Sequence, residues 1–521
     1  MQNQDYDYII IGSGFGGSVS ALRLAEKGYK VLVIEKGKWY KKDDFPKSNW
    51  NLKKWLWAPK LRWHGIMKMS FFRHISVISG VGVGGGSLVY ANTLPVPKKD
   101  FFETGSWKNL EDWENELKPH YKTALKMLGA NKTPVLFDGD LALKELAENI
   151  GRSNKFSPTN VAVYFGEPNK KVPDPYFNGR GPERTGCNYC GGCMTGCRHG
   201  AKNTLDKNYL YLAQQLGVEI LAENEVVDVV PVQINGGNSY EVYYQSSTKL
   251  IKRKKKSTAK GVIFSGGVLG TIKLLLQLKN SSLPNISNQI GEDIRTNNES
   301  LISITHLKGK KDLSKGVAIG SILDTDKDSH LEICRYSSGS GFWKWTHLPY
   351  TTGKIPILNI LKIIYNFFKT PRTYIKLYFV KDWAKRTATL LFMQTLDSKI
   401  KFKKNKIGVL SSRITSGKKP RVYIPRASEL AKKYAKIIDG RATVFALEPL
   451  AGIPSTAHIL GGAVMGEDRT KGVIDKNNRV FGYQNMFVID GAMISANPGV
   501  NPSLSITAIA ERAMEKIPMK K

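Results

Sequence analysis

Residues 7–37, DYIIIGSGFGGSVSALRLAEKGYKVLVIEKG, combine the signals of a nucleotide-binding unit. Their pattern predicts a buried strand over 8–11, a helix over 18–27 and a second strand over 30–34. Gly12, Gly14 and Gly17 follow the first strand with G-x-G-x-x-G spacing, which lets a pyrophosphate approach the backbone at the helix start. Glu35, 23 positions after Gly12, stands where an acidic side chain binds ribose hydroxyls and disfavours a 2′-phosphate. The stretch therefore predicts a βαβ unit that binds FAD or NAD.

A second glycine-rich stretch, SGVGVGGGSLVYANTL at 79–94, favours a flavin. Gly82, Gly84, Gly85 and Gly86 remove side chains, so that main chain can lie against a flat ring or a phosphate. A flexible linker has a similar composition, but the apolar flanks of this stretch argue against one. Residues 259–278 again read as strand, glycine pair and helix, which returns the chain to the nucleotide-binding domain.

The C-terminal region predicts a further strand, NMFVID, that ends at Asp490 and Gly491. The loop ANPGVNP follows, and a helix is expected over 503–517 with Pro502 at its first turn, where the missing N–H costs nothing. The free amides at this helix start would stabilise the negative charge of a reduced flavin.

Length and charge limit the possible classes of protein. The chain has 521 residues, enough for two or three domains, and a formal net charge of +34, which favours anionic partners such as phospholipid headgroups or nucleic acid. The N-terminal residues show no basic region, apolar core and cleavage site of a secretory signal, and no run of about 18 uncharged apolar residues predicts a membrane span. We expect a cytoplasmic protein that contacts the inner face of the membrane peripherally.

Taken together, the motifs resemble those of the glucose–methanol–choline (GMC) oxidoreductases, and within that family the cholesterol oxidase branch. The matching stretches are IGSGFGGS and IEKG, GVGGGSLV, AKNTLDKNYL, STAHILGG and DGAMISANPGVNPSLSITAIAERA. They extend from residue 8 to residue 515, while the middle third matches more loosely.

The resemblance implies an α/β fold with a Rossmann-like FAD-binding domain and an interleaved α+β substrate-binding domain. The expected boundaries are 1–130, 186–298 and 454–521 for the FAD-binding domain, 131–185 for a connecting or substrate-domain segment, and 299–453 for the substrate-binding domain.

The resemblance also implies the residues of an active site. His458 and Asn501 would form the catalytic pair, and Glu332 would move a proton during double-bond isomerisation. For Glu332 an ion pair with Arg335 is the ordinary alternative. Cofactor contacts are expected at Gly12, Gly14, Phe15, Gly17, Glu35, Gly82, Gly84, Gly85, Gly86, Ser87, Val227, Asp490, Gly491, Asn501 and Pro502. Leu88 and Val89 occupy the positions where covalent-flavin members carry a histidine, so we expect noncovalent FAD.

Four of the five cysteines lie in CNYCGGCMTGC at 187–197, with C-x2-C-x2-C-x3-C spacing. The spacing suits an iron–sulfur cluster held by Cys187, Cys190, Cys193 and Cys197, with Cys334 as a distant alternative ligand. Zinc and free or bridged thiols remain alternatives. A cluster here would relay electrons outward and would favour a dehydrogenase.

Residues 347–383 mix apolar and aromatic side chains with lysines and contain no acidic residue before Asp382. They predict either an ordinary amphipathic surface helix or a basic, aromatic face that rests on anionic lipid. A second basic run, at 249–260, predicts a solvated hairpin turn. No nucleic-acid-binding motif accompanies it, so no nucleic-acid partner is expected.

The leading functional hypothesis is FAD-dependent oxidation of a secondary alcohol on a sterol-like molecule, with oxygen or an electron carrier as acceptor. The alternatives are a GMC-type dehydrogenase for another alcohol and a lipid- or nucleic-acid-binding protein with an inactive flavin fold.

Overall fold

The computed structural model describes residues 4–237, 239–351, 353, 355–405, 408–415 and 420–521. The helices are α1 Phe15–Glu26, α2 Leu52–Trp55, α3 Asp100–Glu103, α4 Trp113–Met127, α5 Asp138–Asn149, α6 Tyr209–Gln215, α7 Gly267–Leu278, α8 Pro356–Lys369, α9 Pro371–Tyr378, α10 Trp383–Arg386, α11 Pro425–Ile437, α12 Leu447–Ala451 and α13 Ser503–Glu515. The strands are β1 Tyr6–Ile11, β2 Val31–Ile34, β3 Trp57–Ala58, β4 Trp63–His64, β5 Met67–Phe71, β6 Ser76–Gly80, β7 Asn131–Lys132, β8 Phe156–Pro158, β9 Asn160–Val161, β10 Lys171–Val172, β11 Arg184–Thr185, β12 Glu219–Leu221, β13 Asn224–Pro231, β14 Tyr240–Ser246, β15 Lys255–Phe264, β16 Ile294–Arg295, β17 Ser300–His306, β18 Ser321–Asp324, β19 Ser329–Cys334, β20 His347–Pro349, β21 Thr387–Gln394, β22 Lys399–Lys404, β23 Leu410–Ile414, β24 Gly440–Phe445, β25 Ser455–Thr456 and β26 Met486–Val488.

The first large sheet carries the glycine-rich turn. Its strand order is β12-β2-β1-β15-β14-β13, with β26 paired to β15. Strands β12, β2, β1, β15 and β26 run parallel. Strands β1, β2 and β26 and the second half of β15 are buried, as the apolar runs in the sequence predict. Strands β13 and β14 extend the sheet antiparallel. The predicted βαβ unit is confirmed, and the sheet unites strands from both ends of the chain.

Helix α1 begins at Phe15, three residues before the predicted start. The difference arises because Gly16 and Gly17 lie inside its first turn. A Cβ at Gly16 would lie 1.8 Å from the carbonyl oxygen of Ile489, so only glycine lets this turn pack against the backbone that follows β26.

The basic run at 249–260 forms the connection between β14 and β15 and the first part of β15, the second strand of an antiparallel hairpin. Strands β14 and β15 pair on either side of it, and residues 249–256 are exposed. The predicted solvated hairpin is confirmed.

The second large sheet is antiparallel, in the order β20-β24-β17-β21-β19-β18-β8. One face packs against α5 and α11 through Ile302, Ile333 and Leu390. Because side chains alternate along a strand, the residues between these point to the opposite face. That face lines a large cavity between the two sheets.

Among the helices in the described part of the chain, none is long and apolar enough to cross a membrane.

Candidate active site

A large cavity lies where the two sheets approach each other. It encloses about 1980 Å³ when the part open to solvent is counted. The nucleotide domain contributes the start of α1, the second glycine-rich stretch and the start of α13. The antiparallel sheet contributes Leu301, Ser303, Cys334, Thr389 and Leu391. Most of the remaining wall is apolar or aromatic, which favours a ligand with a flat or hydrophobic body.

The two glycine-rich stretches meet at the base of this cavity. Gly85 has φ +53°, and a Cβ there would lie 2.7 Å from the Cα of Gly14. Gly14 itself has no atom within 4 Å of an added Cβ, so open space remains at the N-terminus of α1. Glycines that leave such space beside free helix amides fit the pyrophosphate of a dinucleotide.

Glu35 fixes the geometry of this turn. Its Oε2 accepts hydrogen bonds from the amide and the hydroxyl of Ser13 at 3.1 and 2.8 Å, and its Oε1 accepts from the amide of Gly37 at 2.8 Å. The Ser13 hydroxyl in turn accepts from the amide of Gly84 at 3.1 Å, which joins both glycine-rich stretches to one carboxylate.

The predicted cofactor residues fall into three groups. Those that line the cavity are Gly14, Phe15, Gly86, Asp490, Gly491, Asn501 and Pro502. Those that shape the turns behind its wall are Gly12, Gly17, Glu35, Gly82, Gly84, Gly85 and Ser87. Val227 lies on β13, outside the cavity wall, where its carbonyl accepts from Gln277 Nε2 at 3.0 Å. Contact between Val227 and a cofactor stays a prediction.

The start of α13 forms the far end of the cavity floor. Asp490 accepts hydrogen bonds from the Thr271 hydroxyl at 2.6 Å and the Ala492 amide at 2.8 Å, and burial raises its pKa to about 6. Pro502 precedes the helix, so the sequence prediction for this terminus is confirmed at its start. The helix ends two residues earlier than predicted, at Glu515.

His458 faces the cavity with a side chain that is 13% exposed, and its Nδ1 lies 3.3 Å from Oε1 of Glu299. Burial alone lowers the pKa of His458, but the Glu299 carboxylate outweighs this effect, and the pKa is raised. Burial alone would raise the pKa of Glu299. The neighbouring His458 ring and the hydrogen-bond donors around the carboxylate outweigh burial, so the pKa is lowered and the carboxyl stays ionised. The two side chains are therefore neighbours in the cavity wall and form an ion pair when the His458 ring is protonated.

Sequence reasoning missed Glu299. The carboxylate accepts hydrogen bonds from the Thr456 hydroxyl and from the amides of Ala457 and His458, the last two at 3.3 and 3.2 Å. It thus holds both the ring and the backbone of the histidine turn. The available signal was an acidic residue directly before the apolar strand SLISITH, a position where a buried carboxylate needs a partner.

Asn501 is buried in the cavity wall, and its Oδ1 has no hydrogen-bond partner within the described structure. A buried carbonyl oxygen without a donor carries a desolvation cost, which a ligand donor would remove. His458 and Asn501 thus line one cavity, as the catalytic-pair prediction requires.

Glu332 lies on β19, fully buried, with Oε1 3.5 Å from Nε2 of His330. It pairs across the sheet with Leu391, a cavity residue, so its side chain shares the cavity-facing side of the sheet although it does not itself line the cavity. The charge of Glu332 also raises the pKa of His458.

The alternative ion pair between Glu332 and Arg335 is wrong. Arg335 Nη2 lies 2.8 Å from Oδ1 of Asp140 on α5, on the other side of the sheet. Because the two residues are three apart on an extended segment, their side chains point in opposite directions.

The four cysteines of 187–197 line a second, smaller cavity together with His199 and Lys202. All five cysteines are among the described residues and are free thiols, and Cys334 lines the large cavity instead. Across the described chain, no group of three or more His, Cys, Asp or Glu side chains is arranged to hold a metal ion. The predicted iron–sulfur site therefore finds no support in this arrangement.

Lys202 connects the two cavities. Its buried ammonium group donates to the carbonyls of Leu88, Tyr90 and Cys193 at 2.9 to 3.0 Å. The cysteine segment thereby supports the backbone of the glycine-rich stretch that forms the large cavity's wall.

Comparison with known proteins agrees with this geometry. The N-terminal family model of the GMC oxidoreductases matches residues 6–297, and the C-terminal model matches residues 421–510. A cholesterol oxidase from Acinetobacter baumannii is 44% identical over 100% of this chain and 96% of its own. A cholesterol oxidase from Mycobacterium tuberculosis is 42% identical over 99% of this chain and 92% of its own.

Solved structures share the fold. The crystal structure of pyridoxine 4-oxidase from Mesorbium loti has a TM-score of 0.65 and 15% identity, with 98% of each chain covered. An FAD-dependent oxidoreductase from Chaetomium thermophilum has a TM-score of 0.60, also at 15% identity and 98% coverage of each chain.

Proposed function

The chain belongs to the GMC oxidoreductase family and is an FAD-dependent oxidoreductase that acts on CH–OH groups, and we propose that its substrate is a sterol-like secondary alcohol. Two features support the proposal: full-length identity of 42–44% to proteins named cholesterol oxidases, and a largely apolar cavity that both His458 and Asn501 line. The names of these relatives also favour molecular oxygen as the acceptor.

FAD, when bound, supplies the two-electron acceptor for the hydride that leaves the carbinol carbon. Nδ1 of His458 lies beside the Glu299 carboxylate, so Nε2 is the nitrogen available to take the hydroxyl proton from the substrate. Because the hydroxyl hydrogen is directed at His458, the unpartnered Oδ1 of Asn501 would accept from an N–H of the flavin. The apolar wall excludes water from the reacting carbon.

The observation that carries the proposal is the buried pair of His458 and Glu299 facing an apolar cavity. The test is anaerobic mixing of the flavoprotein with a panel of 3β-hydroxysterols, long-chain primary alcohols and short alcohols. Fast flavin bleaching by sterols and slow bleaching by the others is expected. Preferential bleaching by a primary or short alcohol would refute the sterol assignment.

Gly14 offers a direct test of the cofactor site. A Gly14→Val side chain fills the open space at the start of α1 while the backbone there stays in an ordinary extended conformation, so FAD affinity should fall at least about 10-fold. Gly270→Val is the matched control, since Gly270 also has open space around an added Cβ but does not line the cavity. FAD content after gel filtration and titration of the apoprotein measure both variants.

Denaturation of the wild-type flavoprotein tests whether FAD is bound noncovalently. Val89 lines the cavity where covalent members carry a histidine, so acid or heat denaturation should release all the FAD into the filtrate. Flavin that stays with the precipitated chain would contradict this.

Isomerisation is proposed as a second step that depends on Glu332. Glu332→Gln keeps the shape but cannot move a proton as a carboxylate, so on a Δ5-sterol the isomerised ketone should fall at least about 10-fold relative to total ketone. Flavin reduction, measured above the pKa of His458, should change little. Glu448→Gln is the control, because burial raises the pKa of that carboxyl to about 8 and the substitution changes little charge at neutral pH. An unchanged product ratio in Glu332→Gln would remove this residue from the mechanism.

The proposed partner for substrate supply is an anionic membrane surface, in keeping with the formal net charge of +34.

A further inference from the structure

Helix α8 turns its apolar side outward. Ile357, Leu361, Ile364 and Phe368 recur on one face, and three of them, Ile357, Leu361 and Phe368, are 67%, 58% and 77% exposed. Asn359 instead points into the protein, where it is buried and donates to the carbonyl of Gly353 at 3.2 Å. A surface helix of a protein surrounded by water places its side chains the other way round.

Helix α9 continues this surface. Ile375 and Phe379 are exposed, and the Phe367 ring stacks on Tyr374, which holds the two helices together. We call Ile357, Leu361, Ile364, Phe368, Ile375 and Phe379 the outer apolar face. The ordinary surface-helix interpretation of 347–383 is therefore wrong, because a large part of the apolar side meets solvent instead of a core.

The charges beside the outer apolar face all have one sign. Lys362, Lys369, Arg372, Lys376 and Lys381 are exposed, and no acidic residue occurs between 347 and 381. At about 1.5 Å per residue, α8 is about 21 Å long, shorter than the ~30 Å hydrocarbon core of a bilayer. An apolar helix of this length with cationic flanks suits the plane of an anionic membrane interface.

The same segment is connected to the cavity wall. Trp343 and His347 precede it, Trp383 follows it, and all three line the cavity. The Tyr378 hydroxyl on α9 donates to the carbonyl of His347 at 2.9 Å, so the helices are tied directly to the wall.

We propose that the outer apolar face inserts into the interface of an anionic lipid bilayer and places the cavity where an apolar alcohol leaves the membrane. The route of the substrate rests on the proposed function, whereas membrane insertion does not. Cationic flanks select lipid over a second copy of this chain, since two copies would bring like charges together.

The experiment is flotation of the flavoprotein with vesicles of phosphatidylcholine alone or mixed with phosphatidylserine. Wild-type protein should bind the mixed vesicles more tightly and lose part of that binding as salt rises. Leu361→Glu with Phe368→Glu should lower the partition coefficient at least about 10-fold even at low salt, because the apolar insertion is lost. A variant that combines Lys362→Glu, Lys369→Glu and Lys376→Glu should lose mainly the part of vesicle binding that is sensitive to salt.

The matched control is Leu250→Glu with Ile251→Glu, since these side chains are 82% and 77% exposed within the other basic run. This variant should bind vesicles as the wild type does. Equal loss in the control, or unchanged binding in the Leu361 and Phe368 variant, would overturn the proposal. If the wild type does not bind vesicles but forms a dimer, and the Leu361 and Phe368 variant is a monomer, the outer apolar face would instead be the contact with a second copy of this chain.

FAD content and flavin bleaching by a detergent-dispersed sterol should be the same in all these variants. Vesicle binding without any sterol turnover would sink the proposed function and leave the docking surface standing, so the two failures are distinguishable.

Discussion

His458→Ala should slow anaerobic flavin reduction by about 10²-fold or more, and Asn501→Ala should have an effect of the same order. In the first variant the hydroxyl proton of the substrate loses its acceptor at Nε2. In the second, the buried amide that faces the cavity no longer holds its ligand. Stopped-flow absorbance at saturating sterol measures the reduction step separately from the reaction with oxygen.

His306→Ala is the matched control for the histidine variant. His306 is also buried and lies on β17 of the antiparallel sheet, but its ring bonds to the carbonyls of Lys308 and Lys311 outside the cavity. Flavin reduction in this variant should stay near the wild-type rate. Near-normal rates in both His458→Ala and Asn501→Ala would refute the assignment of the catalytic pair.

Local patterns were sufficient for the parts of the molecule that depend on neighbouring residues. The βαβ unit of 7–37 was predictable because strand, turn and helix signals follow one another directly. The start of α13 was predictable because Pro502 marks the first turn. His458 and Asn501 came from the family resemblance, and the structure places them in one cavity.

The contacts that sequence reasoning missed join distant parts of the chain. Glu299 and His458 are 159 positions apart, and the pairing of Arg335 with Asp140 spans 195 positions. Helix α8 shows the same limit in another form. The helical spacing of its apolar residues was evident in the sequence. Which side of the helix meets solvent depends on how α8 packs against α9 and α12, and no local pattern encodes that packing.

The protonation state of His458 should control the rate of flavin reduction. Below its raised pKa the ring is an imidazolium and cannot accept the substrate proton, so flavin reduction should rise with pH through that pKa. Glu299→Gln removes the carboxylate that stabilises the imidazolium but leaves the burial that opposes it. The pKa of His458 should therefore fall, and the acidic limb of the profile should move to lower pH by about one unit or more.

His347 cannot be the source of the acidic limb, since burial lowers its pKa to about 4 and its ring is already neutral at the pH where His458 titrates. Glu448→Gln serves as the control for the glutamate substitution, and its limb should coincide with that of the wild type. Because Glu299 also holds the backbone amides of the histidine turn, Glu299→Ala should in addition lower the limiting rate at high pH at least about 10-fold. If the acidic limb of the profile lies at the same pH in Glu299→Gln as in the wild type, a group other than Glu299 controls the pKa of the proton acceptor. The role of Glu299 would then be limited to holding the backbone of the histidine turn.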